Sequence, residues 1–390
     1  MAGQIATEDG QMIEEVRTEL MSSVPNYPKY DMTDTEGRYA FADNALTQDY
    51  LVSGTKNDDY KNGISTVDLV RIQRHILGME AFTSPYKMIA ADVNNDKRIN
   101  GVDLVELRKL ILGIYTELPQ NGSWKMVDAS QTLSLDNPWI YNETRSIIDL
   151  SSDMMDEDFV GVKIGDVDNS VVVGLNNGPS VGRVLNLDFA DGIVSEGELF
   201  EVTMSTTEEL YGYQFTMDMS SVEFIDVSGL GVNGENIGIQ SETMTMSHGS
   251  VTSLSGELFT LTLKARQAGQ MSDLLGMNSK VTKAEAYIGE SLELVKLGLG
   301  NGKGSGFSLG QNEPNPFSEA TTISYTLPQS GEVRMTLYDV TGKVLRVINT
   351  EGVEGANNML VDKEGLTAGV IYYKLEAGTH TATRHMIVIE

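Results

Sequence analysis

Most of the chain alternates apolar and polar residues with a period of two, which is typical of half-buried β-strands. The alternation runs through residues 3–55 in short segments separated by Gly, Asp and Pro turns. It returns between residues 181 and 299, for example at 200–204, 213–219 and 258–263, and again in residues 307–390. Antiparallel sheets with one buried face produce this pattern, so it predicts three antiparallel β-sandwiches.

Residues 57–113 depart from this pattern and consist of two copies of one sequence, offset by 35 positions. Residues 57–69 align with 92–104, and the register continues without a gap until Gly78 pairs with Gly113. In each copy a polar loop precedes an apolar segment with helical spacing, which predicts a loop followed by a helix. The expected fold class is therefore a multidomain, mainly β chain with one small α-helical module.

The loop of the second copy carries oxygen donors at the spacing that wraps a chain around one hard cation. Calcium accepts six to eight oxygen ligands and tolerates irregular geometry. The candidate ligands at loop positions 1, 3, 5, 7, 9 and 12 are Asp92, Asn94, Asp96, the carbonyl of Arg98, Asn100 and Asp103.

The loop of the first copy departs from this donor set. Asn57 replaces the leading Asp, and Lys61 places an ammonium where a carboxylate oxygen is expected. Because a fixed cation opposes Ca²⁺, we expect this site to bind calcium more weakly or to keep its shape as a turn without metal. Its candidate ligands are Asn57, Asp59, Gly63, Ser65 and Asp68.

The duplicated pattern Asp-x-Asn-x-Asp-x-x-x-Asn-x-x-Asp-Leu, with a helix ending in Leu-Gly after each copy, resembles the dockerin module. An EF-hand proper would have Glu at position 12 and Gly at position 6, where this chain has Asp103 and Lys97. The resemblance implies Ca²⁺ as cofactor and a cohesin-like domain as partner, in the same chain or in a neighbouring copy. It implies partner contacts at loop positions 10 and 11 and helix positions 17 and 18, which are Thr66, Val67, Gln73, Arg74, Gly101, Val102, Arg108 and Lys109.

Residues 1–55 are expected to form the first sandwich, and residues 56–170 the calcium module with a β extension. The segment 33–41 resembles an immunoglobulin-like, carboxypeptidase-regulatory domain, which implies a spacer role. The extension ends in a Lys-x-Gly-Asp-Val segment that is similar to those of dockerin-like modules in surface proteins of the Bacteroidota. Its acidic residues, including Asp166 and Asp168, leave a third calcium site open, although a solvated acidic loop is the preferred interpretation.

Residues 171–180 are rich in turn formers and are predicted to be a linker. The sandwich at 181–299 resembles cohesin-like domains through Gly-x-x-Phe-x-Val at 197–202, Tyr-Gln-Phe at 213–215 and Phe-x-Leu-x-Leu-Lys-Ala at 259–265. The glycines of residues 300–306 lack the strand-then-helix context of a phosphate-binding loop, so we expect a tether there.

Residues 307–390 combine Asn-Glu-Pro-Asn-Pro-Phe at 312–317 with Leu-Tyr-Asp-Val-Thr-Gly-Lys-Val at 337–344 and a strand at 386–390. These motifs closely resemble the C-terminal targeting domain of the type IX secretion system. The resemblance implies recognition by the secretion machinery and export to the cell surface or medium, commonly with cleavage upstream of the domain.

Composition narrows the function further. The 390 residues carry a formal charge of −28 and contain no cysteine, so neither disulfides nor a thiol nucleophile can be invoked. A strongly acidic surface repels nucleic acid and anionic membranes, and no segment is long and apolar enough to span a bilayer. Residues 1–20 lack a signal peptide, so either it has been removed or the chain is part of a longer protein.

The sequence predicts no enzymatic activity. The four histidines are His75, His248, His380 and His385, and no pair of them has zinc-ligand spacing. We therefore expect a non-enzymatic, calcium-stabilised surface or extracellular protein with a structural or adhesive role, whose docking could drive self-association into filaments. Two alternatives remain: the attachment and export region of a larger secreted hydrolase, and a carbohydrate-binding protein that exposes Trp124 or Trp139.

Overall fold

A computed structural model describes residues 1–173, 183–300, 308–327, 330–353, 355–378 and 380–389. Strands form separate sheets around separate apolar cores, which confirms the predicted multidomain, mainly β architecture. Within these residues no helix has the length and apolar character needed to cross a membrane. Most of the predicted linker at 171–180 and tether at 300–306 lies outside the described residues.

The N-terminal sandwich has eight strands: β1 Ala2–Ala6, β2 Arg17–Met21, β3 Lys29–Met32, β4 Arg38–Ala40, β5 Tyr50–Thr55, β6 Trp124–Asp128, β7 Thr144–Ile147 and β8 Phe159–Lys163. Its two sheets have the orders β4-β1-β8-β6 and β3-β2-β5-β7. The pair β1 and β8 is parallel, whereas the other pairs of these two sheets are antiparallel.

Three of these strands come from the segment expected to be an extension of the calcium module. Trp124, Ile147 and Phe159 are buried in the same core as Ile5 and Leu20 of the first 55 residues. A fifty-residue sandwich buries too little apolar surface by itself, so strands from beyond the helices complete both sheets. The predicted boundary between 1–55 and 56–170 therefore does not separate two domains, because both sheets contain strands from each side of it. The helical module is an insertion between β5 and β6.

The insertion contains three helices: α1 Thr66–Ile76, α2 Pro85–Ala91 and α3 Gly101–Ile111. Helices α1 and α3 begin and end at equivalent positions of the two sequence copies. Each begins at a capping box, formed by Ser65 with Asp68 in the first copy and by Asn100 with Asp103 in the second. Their apolar faces pack together with α2 and with Val162, Ile164 and Val167, at the end of β8 and just after it.

The second sandwich is built on two long paired strands, β11 and β14. Its elements are β9 Val184–Leu187, β10 Ile193–Val194, β11 Leu199–Asp218, β12 Val222–Gly229, β13 Ile237–Gln240, β14 Thr243–Ala265, β15 Gly269–Gln270, α4 Met271–Leu274, β16 Gly276–Asn278, β17 Glu285–Ile288 and β18 Glu293–Leu299. The main sheet has the order β12-β14-β11-β17-β18-β9, with β13 on β14 and β16 on β11. Met204, Met217, Met244 and Met246 are buried in its core, as expected for filler side chains.

The C-terminal sandwich has seven strands: β19 Ser308–Glu313, β20 Ala320–Leu327, β21 Gly331–Asp339, β22 Val344–Gly352, β23 Gly355–Asp362, β24 Gly369–Ala377 and β25 His380–Val388. They form a sheet β19-β20-β23 and a sheet β22-β21-β24-β25. Alternate residues of β21 and β24, such as Leu337 and Tyr373, fill the core between the two sheets.

Candidate metal sites and docking surface

The loop of the second copy joins α2 to α3 and presents only oxygen donors. The two carboxylate oxygens of Asp92 accept hydrogen bonds from the backbone N–H groups of Asp96 and Lys97, both at 2.9 Å. Asp103 accepts from the N–H of Asn100 at 2.9 Å and from that of Asn94 at 3.2 Å. These bonds hold both carboxylates at the two ends of the loop, as a single cation would require.

Two further features of this loop fit a hard cation. Burial raises the pKa of Asp92 and that of Asp103, because it disfavours their charged forms. A bound calcium ion would favour the charged carboxylates at both positions. Lys97, at the position where an EF-hand has Gly, adopts a φ of +64°, so the sharp turn forms despite its side chain.

The first half of the first loop uses its predicted ligands for other contacts. The Asn57 side-chain oxygen accepts from the backbone N–H of Ser123 and from the Tyr60 hydroxyl, each at 2.7 Å. The Asp59 carbonyl accepts from the buried ammonium of Lys163 at 2.8 Å. The Lys61 ammonium points to the second sandwich and donates to the Val281 carbonyl at 3.1 Å.

The second half of the first loop lies in an acidic cluster. Carboxylate oxygens of Asp68, Asp166 and Asp168 all lie within 4.8 Å of one another. Burial, with the neighbouring charge of Asp168, raises the pKa of Asp68 well above its ordinary value and that of Asp166 to about 7. Three carboxylates at this separation oppose ionisation, and a divalent cation removes that opposition.

Residues 166–171 repeat the geometry of the start of the second loop. The two carboxylate oxygens of Asp166 accept from the N–H of Ser170 at 3.1 Å and of Val171 at 2.8 Å, four and five residues ahead. Asp92 accepts from residues four and five ahead in the same way. The signal was available in the sequence, because Asp166-Val-Asp168-Asn-Ser170 has the spacing of Asp92-Val-Asn94-Asn-Asp96.

Asp68 has the same position relative to residues 166–170 as Asp103 has relative to the start of the second loop. Its carboxylate accepts from the N–H of Ser65 at 2.9 Å and from the N–H of Val167, which follows Asp166, also at 2.9 Å. Asp103 likewise accepts from the N–H of Asn100 and from that of Asn94, which lies two residues after Asp92. The chain therefore contains a second loop-like arrangement assembled from two distant segments.

The N-terminal end of α1 lies against the second sandwich. Thr66 is fully buried, and both its N–H and its hydroxyl donate to the side-chain oxygen of Gln214, at 2.7 and 2.9 Å. The Thr66 hydroxyl also lies 2.7 Å from that of Ser247. Val67 and Val70 pack with Tyr287 and Leu292 in a small buried cluster.

The last turn of α1 adds a polar contact to the same face. The Arg74 guanidinium donates to the Glu290 carbonyl at 3.1 Å and lies 5.1 Å from the ring centroid of Tyr211. Close approach of the two domains depends on glycine, because a Cβ on Gly249 would lie 2.9 Å from Val70 and one on Gly212 would lie 3.0 Å from Thr66.

The C-terminal end of α3 makes the other half of this contact. The Thr282 hydroxyl donates to the Ile111 carbonyl at 2.6 Å, and the Thr245 hydroxyl donates to the Leu112 carbonyl at 2.7 Å. These hydroxyls satisfy carbonyl groups that have no partner within a helix. The Gln240 side-chain amide also donates to the Gly113 carbonyl.

The predicted partner-binding residues divide between this contact and other surroundings. Thr66, Val67 and Arg74 touch the sandwich, as described above. Arg108 is half-buried and interacts electrostatically with Glu235 and His248 of the sandwich. None of the contacts described above joins the other four residues to the sandwich. Gln73 is half-buried, and Gly101 and Val102 are exposed. Lys109 donates to the Tyr115 hydroxyl of its own module.

The candidate aromatic residues for carbohydrate binding have different surroundings. Trp124 is 8% exposed and belongs to the N-terminal core, whereas Trp139 is half-buried. The buried ring of Trp124 is therefore not available as part of a flat sugar-binding face.

Residues 57–112 match the family described as the dockerin type I domain, and residues 314–390 match the secretion system C-terminal sorting domain. The chain thus contains a dockerin and a type IX secretion sorting domain. The second match confirms the expected export to the cell surface or extracellular space. The first confirms a calcium-binding docking module, whose family partner is a cohesin. The resemblances of residues 1–55 and 181–299 stay predictions.

Two solved structures that match this chain have low overall similarity to it. A BSP domain of a biofilm-associated protein is 9% identical, with a TM-score of 0.18 and coverage of 60% of this chain and 58% of that one. Dimeric latent PorU from Porphyromonas gingivalis is 11% identical, with a TM-score of 0.20 and coverage of 68% and 28%. The chain thus spans less than two thirds of the length of either, and scores of this size carry no functional argument. Among curated proteins the search finds no match.

Proposed function

We propose that this chain is a non-enzymatic, calcium-stabilised structural or adhesive protein of the cell exterior, whose dockerin docks on the cohesin-like sandwich of the same chain. The contact between α1, α3 and the sandwich carries this proposal. It combines a buried apolar cluster with hydrogen bonds at both ends, so the sandwich covers the surface that a dockerin would offer to a cohesin. Because the docking surface is filled within one chain, docking does not by itself join chains into filaments.

The surroundings of the histidines support a non-enzymatic role. The backbone N–H of Phe82 donates to the Nδ1 of His75, whose ring stacks on that of Phe82. His248 is buried beside Tyr213, and burial lowers its pKa to about 4. His380 and His385 belong to the C-terminal sandwich, far along the chain from both.

A matched pair of substitutions tests docking within the chain. Val70 is fully buried against the sandwich, whereas Val105, the equivalent residue of the second copy, is 42% exposed. Val70→Asp buries an unpaired carboxylate and should separate the two domains, while Val105→Asp should not. Small-angle scattering with light scattering would measure this as a larger radius of gyration of a monomer. Concentration-dependent oligomers of the unmodified chain in calcium would instead support docking between chains.

We propose two calcium sites on the dockerin. The first is the loop of the second copy, with Asp92, Asn94, Asp96, the Arg98 carbonyl, Asn100 and Asp103 as donors. The second combines Asp68 of the first copy with Asp166, Asp168 and Ser170, in place of the predicted Asn57 and Asp59. Bound calcium would neutralise the buried carboxylates and hold the loops in shape, and the oxygen-only donor sets fit that role.

Calorimetric titration of the metal-free chain tests both sites. We expect two bound calcium ions per chain. Asp168→Asn should remove or strongly weaken one of them, because it deletes a charged ligand while keeping an oxygen acceptor. Asp59→Asn is the matched control and should leave both, since the Asp59 carboxylate is not part of the cluster of Asp68, Asp166 and Asp168. If Asp59→Asn removes a site and Asp168→Asn does not, calcium binds in the contiguous first loop instead.

A further inference from the structure

A duplicated module offers two equivalent faces, and only one of them touches the sandwich. Thr66 of the first copy and Leu112 of the second are buried in the contact. Their counterparts at the 35-residue offset, Gly101 and Leu77, are exposed, with Leu77 57% exposed. If the module turned so that its copies exchanged places, these exposed residues would meet the sandwich.

The two faces are alike enough for this exchange to be a real alternative. Helices α1 and α3 have equal length, equivalent caps and the same backbone bonds beyond their ends, from Met79 to Arg74 and from Ile114 to Lys109. Val67 and Val70 have valines as counterparts, Val102 and Val105. The apolar part of the contact therefore does not choose between the orientations.

We propose that three polar positions restrict docking to one orientation, with Thr66 as the main determinant; this inference rests on the proposed docking within the chain. In the exchanged orientation Gly101 would replace Thr66 and would lack its hydroxyl. The buried side chains of Gln214 and Ser247 would each lose a hydrogen-bond partner, and buried polar groups without partners are costly.

The other two positions favour the same orientation. Lys61 donates to the Val281 carbonyl, and its counterpart Asp96 would bring a carboxylate to that acceptor without a proton to share. Arg108 lies near Glu235, and its counterpart Gln73 has no charge to offer that carboxylate. At both positions the exchanged orientation would replace an attractive contact with a neutral or repulsive one. Both therefore favour the same orientation as Thr66.

Distances between spin labels test the orientation in the full chain with calcium. The chain has no cysteine, so pairs of introduced cysteines are labelled cleanly. Met79 and Ile114 are exposed counterparts, and Glu242 is an exposed reference on the sandwich. Because Gly113 touches Gln240, we expect one short distance from Ile114→Cys to Glu242→Cys and one long distance from Met79→Cys to Glu242→Cys. An exchanged population above roughly one tenth would overturn the inference.

A second variant tests the determinant itself. The double exchange Thr66→Gly with Gly101→Thr moves the hydroxyl to the other face. It should raise the ratio of molecules in the exchanged orientation to those in the original one by roughly tenfold or more. Calcium binding at the second loop and unchanged circular dichroism show that the variant is folded. An unaltered distribution would mean that Thr66 does not set the orientation. Broad distances in the unmodified chain would contradict docking itself, which separates failure of the proposed function from failure of this inference.

Discussion

The two copies of the duplicated module have helices of equal length at equivalent positions but make different contacts. The second copy keeps a contiguous loop in which Asp92 and Asp103 bind backbone groups at its two ends. The first copy has turned Asn57 and Lys61 toward other parts of the chain. Its Asp68 faces Asp166 and Asp168 instead. Both copies contact the sandwich, but only the first directs residues of its own loop to other parts of the chain.

The comparison also explains which ends of the helices are buried. The first copy contributes the start of α1, where the capping residues leave the Thr66 N–H free for Gln214. The second contributes the end of α3, whose last carbonyls accept from Thr245 and Thr282. Helix ends carry unsatisfied backbone groups, so a polar sandwich surface fits both.

Calcium removal should have the largest effect, and it tests whether both copies carry a site. Each ion bound only by the folded state stabilises it by about 2.7 kcal/mol at a hundredfold excess over its Kd. Chemical unfolding with and without a chelator measures the sum. We expect Asp96→Asn and Asp168→Asn each to remove about half of the calcium effect. A variant that removes all of it, or none, would break the equivalence of the two sites.

Acidification should have the next largest effect. It acts on the buried His248 of the sandwich, which lies near Arg108 of the second copy. Burial, and then the nearby Arg108 guanidinium, lower the pKa of His248 to about 4. An unfolded histidine has a pKa of about 6.5, so this group binds more protons in the unfolded chain in between, and the stability that His248 contributes falls as the pH drops through this window. The raised pKa of Asp166 acts in the opposite direction and is common to the two chains compared below. From about pH 6.5 to about pH 5 the loss should be about 2 kcal/mol.

Chemical unfolding across this pH range, with His248→Gln as the comparison, measures that loss. The groups facing His248 are Arg108 and the Asn236 side chain, with Glu235 next to Arg108. His75, whose pKa burial also lowers, titrates in both chains and cancels in the difference. Equal pH dependence of the two chains would show that His248 is not the responsible group.

The sequence predicted the parts of this molecule that depend on local spacing. Both helices and the spacing of oxygen donors from Asp92 to Asp103 follow from the repeat, because neighbours along the chain form them. That these donors bind calcium stays a prediction. The continuation of both sheets beyond residue 55 and the closeness of Asp166 to Asp68 do not follow, since both depend on strand β8 returning to pair with β1. The sequence favours an acidic loop at Asp166 because its segment holds only the start of a calcium pattern, and Asp68 lies 98 residues earlier.

The sequence predicts that the module docks on a partner domain, but it does not predict which residues of each copy are buried in the contact. Four of the eight expected positions lie in it: Thr66 and Val67 at the start of α1, Arg74 near its end, and Arg108 near the end of α3. Nothing in the sequence distinguishes the buried Val70 from the exposed Val105, because each follows Asp-Leu at the same place. The distinction comes from polar neighbours such as Thr66, whose hydroxyl pairs with Gln214 and Ser247 of the partner surface.

Glycine substitutions give the smallest and most local test of the difference between the copies. A Cβ on Gly249 would lie 2.9 Å from Val70, whose branched side chain is stiff, so Gly249→Ala should weaken docking by about 1–2 kcal/mol. Gly101 belongs to the free face and has no atom within 4 Å of its Cβ position. Gly101→Ala should therefore be neutral or slightly stabilising, as alanine favours the helix. Thermal unfolding and spin-label distances of the two variants measure the contrast, and equal effects would mean that neither face is closed by the sandwich in solution.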